Sequence, residues 1–159
     1  MNDNFNSWTI GENLYNWIIN NIEKNSTILE LGSGDGSTSE LVKNYIVYSI
    51  EHDKNWVDKI KGSNYIYAPI VDKWYDVNIL KNNLNINYDL ILVDGPPGFI
   101  GRFGFLKNIE LFNTNVPIII DDVQRKDELN LLIDVSKYLN KQYKIYDDSY
   151  NKKFGIIKN

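Results

Sequence analysis

The stretch TILELGSGDGSTSELV (residues 27–42) decides the fold. Residues 27–31 form a short, largely apolar run that predicts a buried strand, and the apolar spacing after the glycines predicts a helix. Between the two lie Gly32, Gly34 and Gly36, whose missing side chains allow positive φ angles and let a ligand approach the backbone. The stretch therefore predicts a strand, a ligand-binding glycine loop and a helix in succession.

The alternation of strand and helix continues along the chain. Further aliphatic runs predict strands at YIVYSIE (45–51), YIYAPI (65–70), YDLILVD (88–94) and VPIIIDD (116–122). Segments with helical spacing occur at 37–44, 53–61, 73–83, 102–112 and 125–140. Strands that are apolar throughout and alternate with helices indicate a parallel sheet that is buried on both faces.

The two ends of the chain complete this architecture. Residues 7–24 have the spacing of an amphipathic helix that covers one side of the core. The runs QYKIYDD (142–148) and KFGIIKN (153–159) predict an antiparallel hairpin, with no helix between them. The predicted fold is α/β, with a Rossmann-like, mostly parallel seven-stranded sheet, a C-terminal antiparallel hairpin and helices on both faces.

Composition limits the function. A chain of 159 residues, 43% hydrophobic and 24% charged, predicts one domain spanning residues 1–159. The absence of cysteine excludes disulfides, thiolate metal sites and thiol catalysis. The net charge of −4, without a run of basic residues, disfavours nucleic acid as a partner. We find neither an apolar stretch of roughly 18 residues nor a secretory leader, and therefore expect a cytoplasmic protein without membrane contact.

Acidic residues stand in or directly after the predicted strands. Ligands of such sheets bind beyond the carboxyl ends of the strands, near the point where the strand order reverses. A single acid at such a position is compatible with a strand end or a helix cap. Five acids in phase with the strands favour a binding site instead. These five are Glu30, Glu51, Asp94, Asp121 and Asp122.

Two sequence motifs and one acidic residue resemble those of a known family. ILELGSGDGS (28–37) resembles the first motif of class I S-adenosylmethionine-dependent methyltransferases. Glu51, about 20 residues after the first glycine, looks like their ribose-binding acid. YDLILVDGPPG (88–98) is similar to their fourth-strand motif, and the likeness in layout covers nearly the whole chain, including the hairpin.

The resemblance implies a site for S-adenosylmethionine. The glycine loop would wrap the methionine part of the cofactor, with Glu30 near its ammonium group, and Glu51 would accept from both ribose hydroxyls. His52 would lie by the adenine, although a solvated histidine is the alternative, and Asp72 would contact the adenine amino group. The implied cofactor residues are Glu30, Gly32, Ser33, Gly34, Gly36, Ser37, Glu51, His52, Asp72 and Asp94.

The loop after Asp94 suggests a catalytic role for this acid. Methyl transfer to a nucleophile requires an aligned acceptor of raised electron density. Pro96 and Pro97 remove two backbone donors and fix two φ angles, which would hold the Asp94 carboxylate still. The alternative is that Gly-Pro-Pro-Gly only ends the strand.

Asp121 and Asp122 end the next strand, one crossover away from Asp94, so the three carboxylates are expected to converge. Three hard oxygen donors suit Mg²⁺. This layout resembles cation-dependent O-methyltransferases of the catechol and caffeoyl-CoA type, although these usually carry Asn where this chain has Asp122. The alternative is an ion pair with Arg125, whose removal would then leave buried acids uncompensated.

A second resemblance is to bacterial methyltransferases with a DGPPG…R…DD…R…E arrangement, which Arg102, Arg125 and Glu128 match. The predicted catalytic residues are Asp94, Asp121, Asp122 and Arg125. We predict methyl transfer from S-adenosylmethionine to a hydroxyl oxygen of a small molecule, with a sugar or glycan precursor as one candidate. The alternatives are N-methylation of a protein or nucleic acid, and a non-catalytic cofactor-binding module. A homo-oligomer is compatible with the sequence.

Overall fold

The computed structural model describes residues 9–158 and is built around a seven-stranded sheet. The strands of the described chain are β1 (Thr27–Leu31), β2 (Ile46–Glu51), β3 (Ser63–Tyr67), β4 (Ile70–Val71), β5 (Trp74–Tyr75), β6 (Leu90–Val93), β7 (Ile118–Ile120), β8 (Gln142–Asp147) and β9 (Lys153–Lys158). The α-helices are α1 (Glu12–Asn21), α2 (Ser37–Leu41), α3 (Val77–Asn83), α4 (Gly104–Lys107) and α5 (Lys126–Leu139).

The sheet has the order β3-β2-β1-β6-β7-β9-β8. Five adjacent strands of this sheet run parallel, namely β3, β2, β1, β6 and β7, whereas β9 is antiparallel to both β7 and β8. The predicted α/β fold and its closing hairpin are therefore confirmed. The order reverses between β1 and β6, and a parallel sheet binds its ligands at such a point.

Both faces of the sheet are covered, because successive strand residues point to opposite sides. On one face, Leu29, Leu31, Ile91 and Val93 belong to a core that also contains buried residues of α3, α4 and α5. On the other, Ile28, Val47, Leu90 and Leu92 belong to a core with α1 and α2. The near-continuous apolar runs of the sequence thus reflect burial on two sides.

The predicted helix over 53–61 is wrong, because residues 54–58 form turns. The Asp53 carboxylate accepts a hydrogen bond from the backbone N–H of Asn55 at 2.9 Å, which competes with helix formation. Asp58 then adopts a positive φ of 61°. The turns bring Trp56 to the wall of the cavity described below, with the Lys59 ammonium 3.5 Å from its ring centre.

A short hairpin replaces the start of the predicted helix over 73–83. Strands β4 and β5 pair through Ile70 with Tyr75 and Val71 with Trp74. Asp72 and Lys73 form the tip with φ angles of 50° and 65°, the signature of a tight primed turn. Helix α3 begins only at Val77, where the Asp76 carboxylate accepts from two backbone N–H groups.

Three other predictions about helices need correction. The segment 102–112 contains the single turn of α4 and a 3₁₀ turn over Ile109–Leu111, because Asn108 leaves the helical region. A 3₁₀ turn over Ser149–Asn151 connects the hairpin strands, where no helix was expected. The N-terminal helix spans Glu12–Asn21, and residues 7 and 8 of the predicted range lie outside the described residues.

Helix α1 is capped from the far end of the chain. Its N-cap residue is Gly11, which offers no side chain. The Asp148 carboxylate accepts from the Asn13 N–H at 2.9 Å, and the Ser149 hydroxyl accepts from the Glu12 N–H at 3.1 Å. These bonds fasten the segment before α1 to the loop between β8 and β9. Within residues 9–158, no helix is both long and apolar enough to cross a membrane.

Candidate functional site

A cavity of about 1000 Å³ opens at the carboxyl ends of the parallel strands. One end of its wall is built from the glycine loop and from the loop after β2, including Ser33, Glu51 and Trp56. The other end is built from the loop after β6 and the start of α5, including Phe99 and Arg125. Asp94 also lines the cavity. The volume suits a ligand the size of a nucleoside together with a small second molecule.

The glycine loop packs directly against the loop after β6. Leu31 and Val93 are paired in the sheet, so Gly32 and Asp94 leave it side by side. Gly32 has a φ of 87°, and a Cβ there would lie 3.0 Å from the Gly95 Cα. A Cβ on Gly95 would lie 2.5 Å from the Tyr75 hydroxyl. Only glycine at both positions allows this approach of the two loops. The peptide bond between Gly95 and Pro96 is cis.

Glu51 holds the glycine loop to the loop after β2. Its Oε2 accepts from the backbone N–H and the hydroxyl of Ser33, at 3.0 and 2.9 Å. Its Oε1 accepts from the backbone N–H groups of His52 and Asp53, both at 2.7 Å. The Nδ1 of His52 lies 3.0 Å from the same oxygen, and the ring is partly buried with an edge-on contact to Tyr75. The carboxylate is thus fixed on the cavity wall.

Glu30 supports the glycine loop from behind. It is fully buried, and its Oε2 accepts from the hydroxyls of Thr38 and Ser49, both at 2.8 Å. The Thr38 hydroxyl in turn accepts from the Gly34 N–H at 2.9 Å. Burial raises the pKa of Glu30 to about 7, although the two hydroxyl donors oppose the shift. Its Oε1 accepts no hydrogen bond from any residue of the described chain.

Three carboxylates meet where β6 and β7 end. Val93 pairs with Ile120, so Asp94 and Asp121 follow neighbouring strands, and Asp122 adopts a positive φ of 64°. Carboxylate oxygens of Asp94, Asp121 and Asp122 lie within 4.8 Å of one another. The predicted convergence of these three acids is confirmed.

Arg102 joins the loop after β6 to the end of β7. Its side chain is only 4% exposed and donates to the backbone carbonyls of Asp94, Pro96 and Asp121, at 2.7, 3.2 and 3.0 Å. Its Nη2 also lies 3.3 Å from the Asp94 carboxylate and 3.2 Å from that of Asp122. The guanidinium therefore fixes the loop geometry and compensates two of the acids.

Lys152, in the loop before β9, contacts two acids of this cluster, Asp121 and Asp122. Its ammonium donates to the Asp121 carboxylate and to the Thr9 carbonyl, both at 2.8 Å. It lies 3.3 Å from the Asp122 Oδ1. The side chain is 8% exposed, and the Asp121 side chain is fully buried. An ammonium group has three N–H donors, so these three oxygens account for its capacity.

Arg125 has a more peripheral place than the sequence suggested. Its Nη1 lies 3.2 Å from the Asp122 carboxylate and 3.9 Å from that of Glu128. The predicted ion pair with the Asp121–Asp122 pair is therefore present. However, the Arg125 side chain is 49% exposed, so most of the compensation of the buried acids comes from Arg102 and Lys152.

The cluster gives its acids different proton affinities. Burial raises the pKa of Asp94 well above its ordinary value, and the charge of Asp121 adds to this, while Arg102 and Lys152 oppose it. Burial also raises the pKa of Asp121. Burial alone would do the same for Asp122, but Lys152, Arg102 and Arg125 together lower its pKa. Of the three acids, Asp94 is the one that combines a raised pKa with a place on the cavity wall.

Comparisons with known proteins rest on structure. No protein-family model matches the sequence, and no curated protein matches it. A methyltransferase from Pyrococcus furiosus superposes with a TM-score of 0.64 at 15% identity, over 91% of this chain and 80% of that one. A caffeoyl-CoA O-methyltransferase-like protein from Staphylococcus aureus superposes with a TM-score of 0.61 at 16% identity, over 93% of this chain and 82% of that one. A methyltransferase-like protein from Streptococcus mutans, solved with S-adenosylhomocysteine, superposes with a TM-score of 0.54 at 13% identity, over 92% of this chain and 94% of that one.

This chain has the class I methyltransferase fold. Within this methyltransferase fold, most of the predicted cofactor residues lie on the cavity wall. Three do not line it: Glu30 lies behind the loop, Gly36 is the N-cap residue of α2, and Asp72 is exposed at the tip of the β4–β5 hairpin. The predicted cofactor residues that line the cavity are Gly32, Ser33, Gly34, Ser37, Glu51, His52 and Asp94.

Sequence reasoning missed Lys152 altogether and left the role of Arg102 open. Arg102 had one signal, since it is among the few arginines in a chain rich in lysine. Lys152 had none, because it is one of two adjacent lysines, and its neighbour Lys153 is half exposed and pairs with Asp147. Only the docking of the β8–β9 loop against the methyltransferase sheet tells the two lysines apart.

Replacing Glu30 should change how stability depends on pH. The pKa of Glu30 in the folded chain is about 7, against an ordinary value of 4.5. Between these values the folded state keeps a proton that the unfolded state has lost, so unfolding becomes easier as pH rises. As pH rises from 4.5 to about 7, the unfolding free energy of the wild type should fall by about 3 kcal/mol relative to that of Glu30→Gln. At higher pH the difference between the two proteins should stay constant.

Urea denaturation of both proteins at several pH values measures this difference. The exposed Glu23 provides a control for the loss of an acid, because Glu23→Gln changes a side chain at the surface and should alter the unfolding free energy only slightly. A difference between wild type and Glu30→Gln that does not vary with pH would contradict the assignment.

Proposed function

We propose that this protein transfers a methyl group from S-adenosylmethionine to a hydroxyl oxygen of a small molecule. The observation that carries the proposal is the place of Asp94. This carboxylate is 16% exposed on the cavity wall, its pKa is raised by burial, and its residue leaves the sheet beside Gly32. A base of this kind, next to a glycine loop in this fold, suits the removal of a proton from an acceptor.

The cavity fits the cofactor in three respects. Its volume is large enough, the Gly32–Gly34 backbone is exposed to it, and Glu51 presents a fixed carboxylate at its edge. We therefore assign the backbone of Ser33 and Gly34, together with Ser37, to the methionine part of the cofactor, and Glu51 to the ribose. When bound, S-adenosylmethionine supplies a methyl group on a positively charged sulfur.

Residues of this chain would remove the acceptor proton and position the reacting groups. Asp94 takes the hydroxyl proton as the acceptor oxygen attacks, so negative charge on this oxygen does not accumulate. Arg102 holds the Asp94 backbone carbonyl at 2.7 Å and thereby fixes the direction of the carboxylate. The acceptor has to lie between Asp94 and the far wall of the cavity, where it would exclude water from the reacting atoms.

The far wall favours a polar acceptor that has one apolar face. Phe99 lines the cavity with 90% of its surface exposed, and Arg125 and Lys126 lie on the same wall. An aromatic ring beside hydrogen-bonding side chains is well suited to a sugar, whose ring has an apolar face and a hydroxylated rim. A sugar or glycan precursor is therefore our preferred acceptor class.

The proposal is tested by methyl transfer from radiolabelled S-adenosylmethionine to a panel of acceptors. The panel contains free sugars, nucleotide sugars, catechols, peptides and RNA. We expect label in a hydroxyl compound, released as its methyl ether. Label in an amine would instead support N-methylation, and tight cofactor binding without transfer to any acceptor would support a binding module.

Replacing Glu51 should weaken cofactor binding. Glu51→Ala removes a charge-assisted acceptor worth about 1.5–3 kcal/mol per bond, so calorimetry should show at least a tenfold loss of S-adenosylhomocysteine affinity. Glu51 also holds Ser33, and loosening of the loop could imitate this result. Ser33→Ala is the control, because it removes one loop contact but leaves the carboxylate in place. An equal loss in both variants would assign Glu51 to the loop and not to the ribose.

A further inference from the structure

The ammonium group of Lys152 contacts two of the three clustered acids, Asp121 and Asp122. It is 2.8 Å from an oxygen of Asp121 and 3.3 Å from one of Asp122, and its third contact is the Thr9 carbonyl. The side chain is almost fully buried. A buried lysine of this kind is costly unless it is compensated, so its place among the acids is a feature of the fold.

The same three acids are the donors that a divalent cation would use. Carboxylate oxygens are the preferred ligands of Mg²⁺ and Mn²⁺, and those of the cluster lie within 4.8 Å of one another. However, Mg²⁺ binds oxygen at about 2.1 Å, whereas the Asp121 and Asp122 oxygens lie at hydrogen-bonding distance from an ammonium nitrogen. The acids are arranged for Lys152, and these residues do not fit a resident metal.

Charge leads to the same result. The three carboxylates face the buried cations Arg102 and Lys152 and the half-exposed Arg125. A divalent ion added to this balanced set would be repelled by Lys152 at a separation of a few Å, where like charges interact strongly. Metal could enter only if the Lys152 side chain left, and its bond to the Thr9 carbonyl also holds it in place.

We infer that Lys152 takes the place of a divalent cation in this cluster, so that the chain binds no metal there and the proposed methyl transfer needs none. Lys152 is a positioning residue in this scheme. It orients Asp121 and Asp122 and contributes positive charge beside Asp94, but its donors are taken up by the protein. The statement about transfer rests on the proposed function, whereas the statement about metal does not.

Mn²⁺ binding tests the inference directly. The wild-type chain should show no stoichiometric Mn²⁺ binding in an electron paramagnetic resonance titration. Lys152→Met keeps the length of the side chain but removes its charge, and Asp121 then loses its only cation within 4.0 Å among the described residues. This variant should bind one Mn²⁺ at least about 100-fold more tightly than the wild type, because a like charge has been removed from the site.

Lys153→Met is the matched control. Lys153 is the next residue in the chain, but it is half exposed and pairs with Asp147 on the other strand of the hairpin. This variant should remain without Mn²⁺. Stoichiometric Mn²⁺ binding by the wild type would overturn the inference, and so would a folded Lys152→Met that gains none. If Lys152→Met folds only when Mn²⁺ is added, the inference is supported.

Activity gives a second test that is separate from the first. Transfer by the wild type should be unchanged by EDTA, whereas transfer by Lys152→Met should be slower without metal and should rise when Mn²⁺ is added. Without metal, loss of the Lys152 charge should move the rising limb of the pH–rate profile of the variant to higher pH, since this charge favours ionised Asp94. If no acceptor is methylated at all, the proposed function fails, but the Mn²⁺ titration still decides the role of Lys152.

Discussion

Asp94→Asn should lower methyl transfer by about 10²- to 10⁴-fold, the usual contribution of a positioned general base. The amide keeps the size of the side chain but cannot accept the hydroxyl proton. Affinity for S-adenosylhomocysteine should change little, because Glu51 and the glycine loop remain. The thermal midpoint should not fall sharply either, since the change removes one of three converging carboxylates and leaves the Arg102 bond to the Asp94 carbonyl intact.

The pH dependence of the wild type gives a second measurement of the same role. Burial raises the pKa of Asp94, so the carboxyl holds its proton at low pH and cannot act as a base. The rate should therefore rise with pH through this pKa, and the residual rate of Asp94→Asn should lack that limb.

Asp147→Asn, at an exposed position that does not line the cavity, controls for a general effect of removing an acid. A folded Asp94→Asn that retains more than a tenth of the wild-type rate would exclude Asp94 as the base.

Arg102→Ala should destabilise the fold by about 3–5 kcal/mol, because it breaks a buried ion pair and leaves the other partner uncompensated. Three backbone carbonyls and two carboxylates would lose a donor in a region from which water is largely excluded. Chemical denaturation measures this loss.

Arg125→Ala is the matched control for Arg102. Arg125 pairs with the same Asp122, but its side chain is half exposed, so we expect a loss of no more than about 1 kcal/mol. The sequence alone pointed to Arg125 as the residue that compensates the buried acids, and the structure transfers that role to Arg102 and Lys152. Equal destabilisation by the two changes would show that the exposed arginine matters as much as the buried one.

Much of the fold was predictable because its signals are local. The apolar runs at 27–31, 88–94 and 116–122 match strands that are buried on both faces, and a continuous apolar run needs only neighbouring residues to be recognised. The convergence of Asp94 with Asp121 followed from the same reasoning, because parallel strands joined by one crossover end at the same edge. The glycine loop was equally visible.

The errors lie where local signals conflict. Residues 53–61 have helical apolar spacing, but Asp53 and Asn55 satisfy backbone groups in a turn, and Asp58 accepts a left-handed conformation. The hairpin tip at Asp72 and Lys73 contains neither Asn-Gly nor Asp-Gly, the two dipeptides that usually mark such a turn. In both segments side-chain and backbone hydrogen bonds outweigh periodicity, which no apolar pattern reveals.

The sequence by itself determined the sheet, the order of its main elements, the glycine loop and the acids at the strand ends, because each of these depends on residues close together in the chain. Only the tertiary structure decided what compensates the acids. Lys152 reaches Asp121 through the packing of the β8–β9 loop, and that loop is fastened by bonds from Asp148 to α1. Such contacts join residues far apart in sequence, so their partners are selected by distance and burial in the folded chain and leave no local pattern.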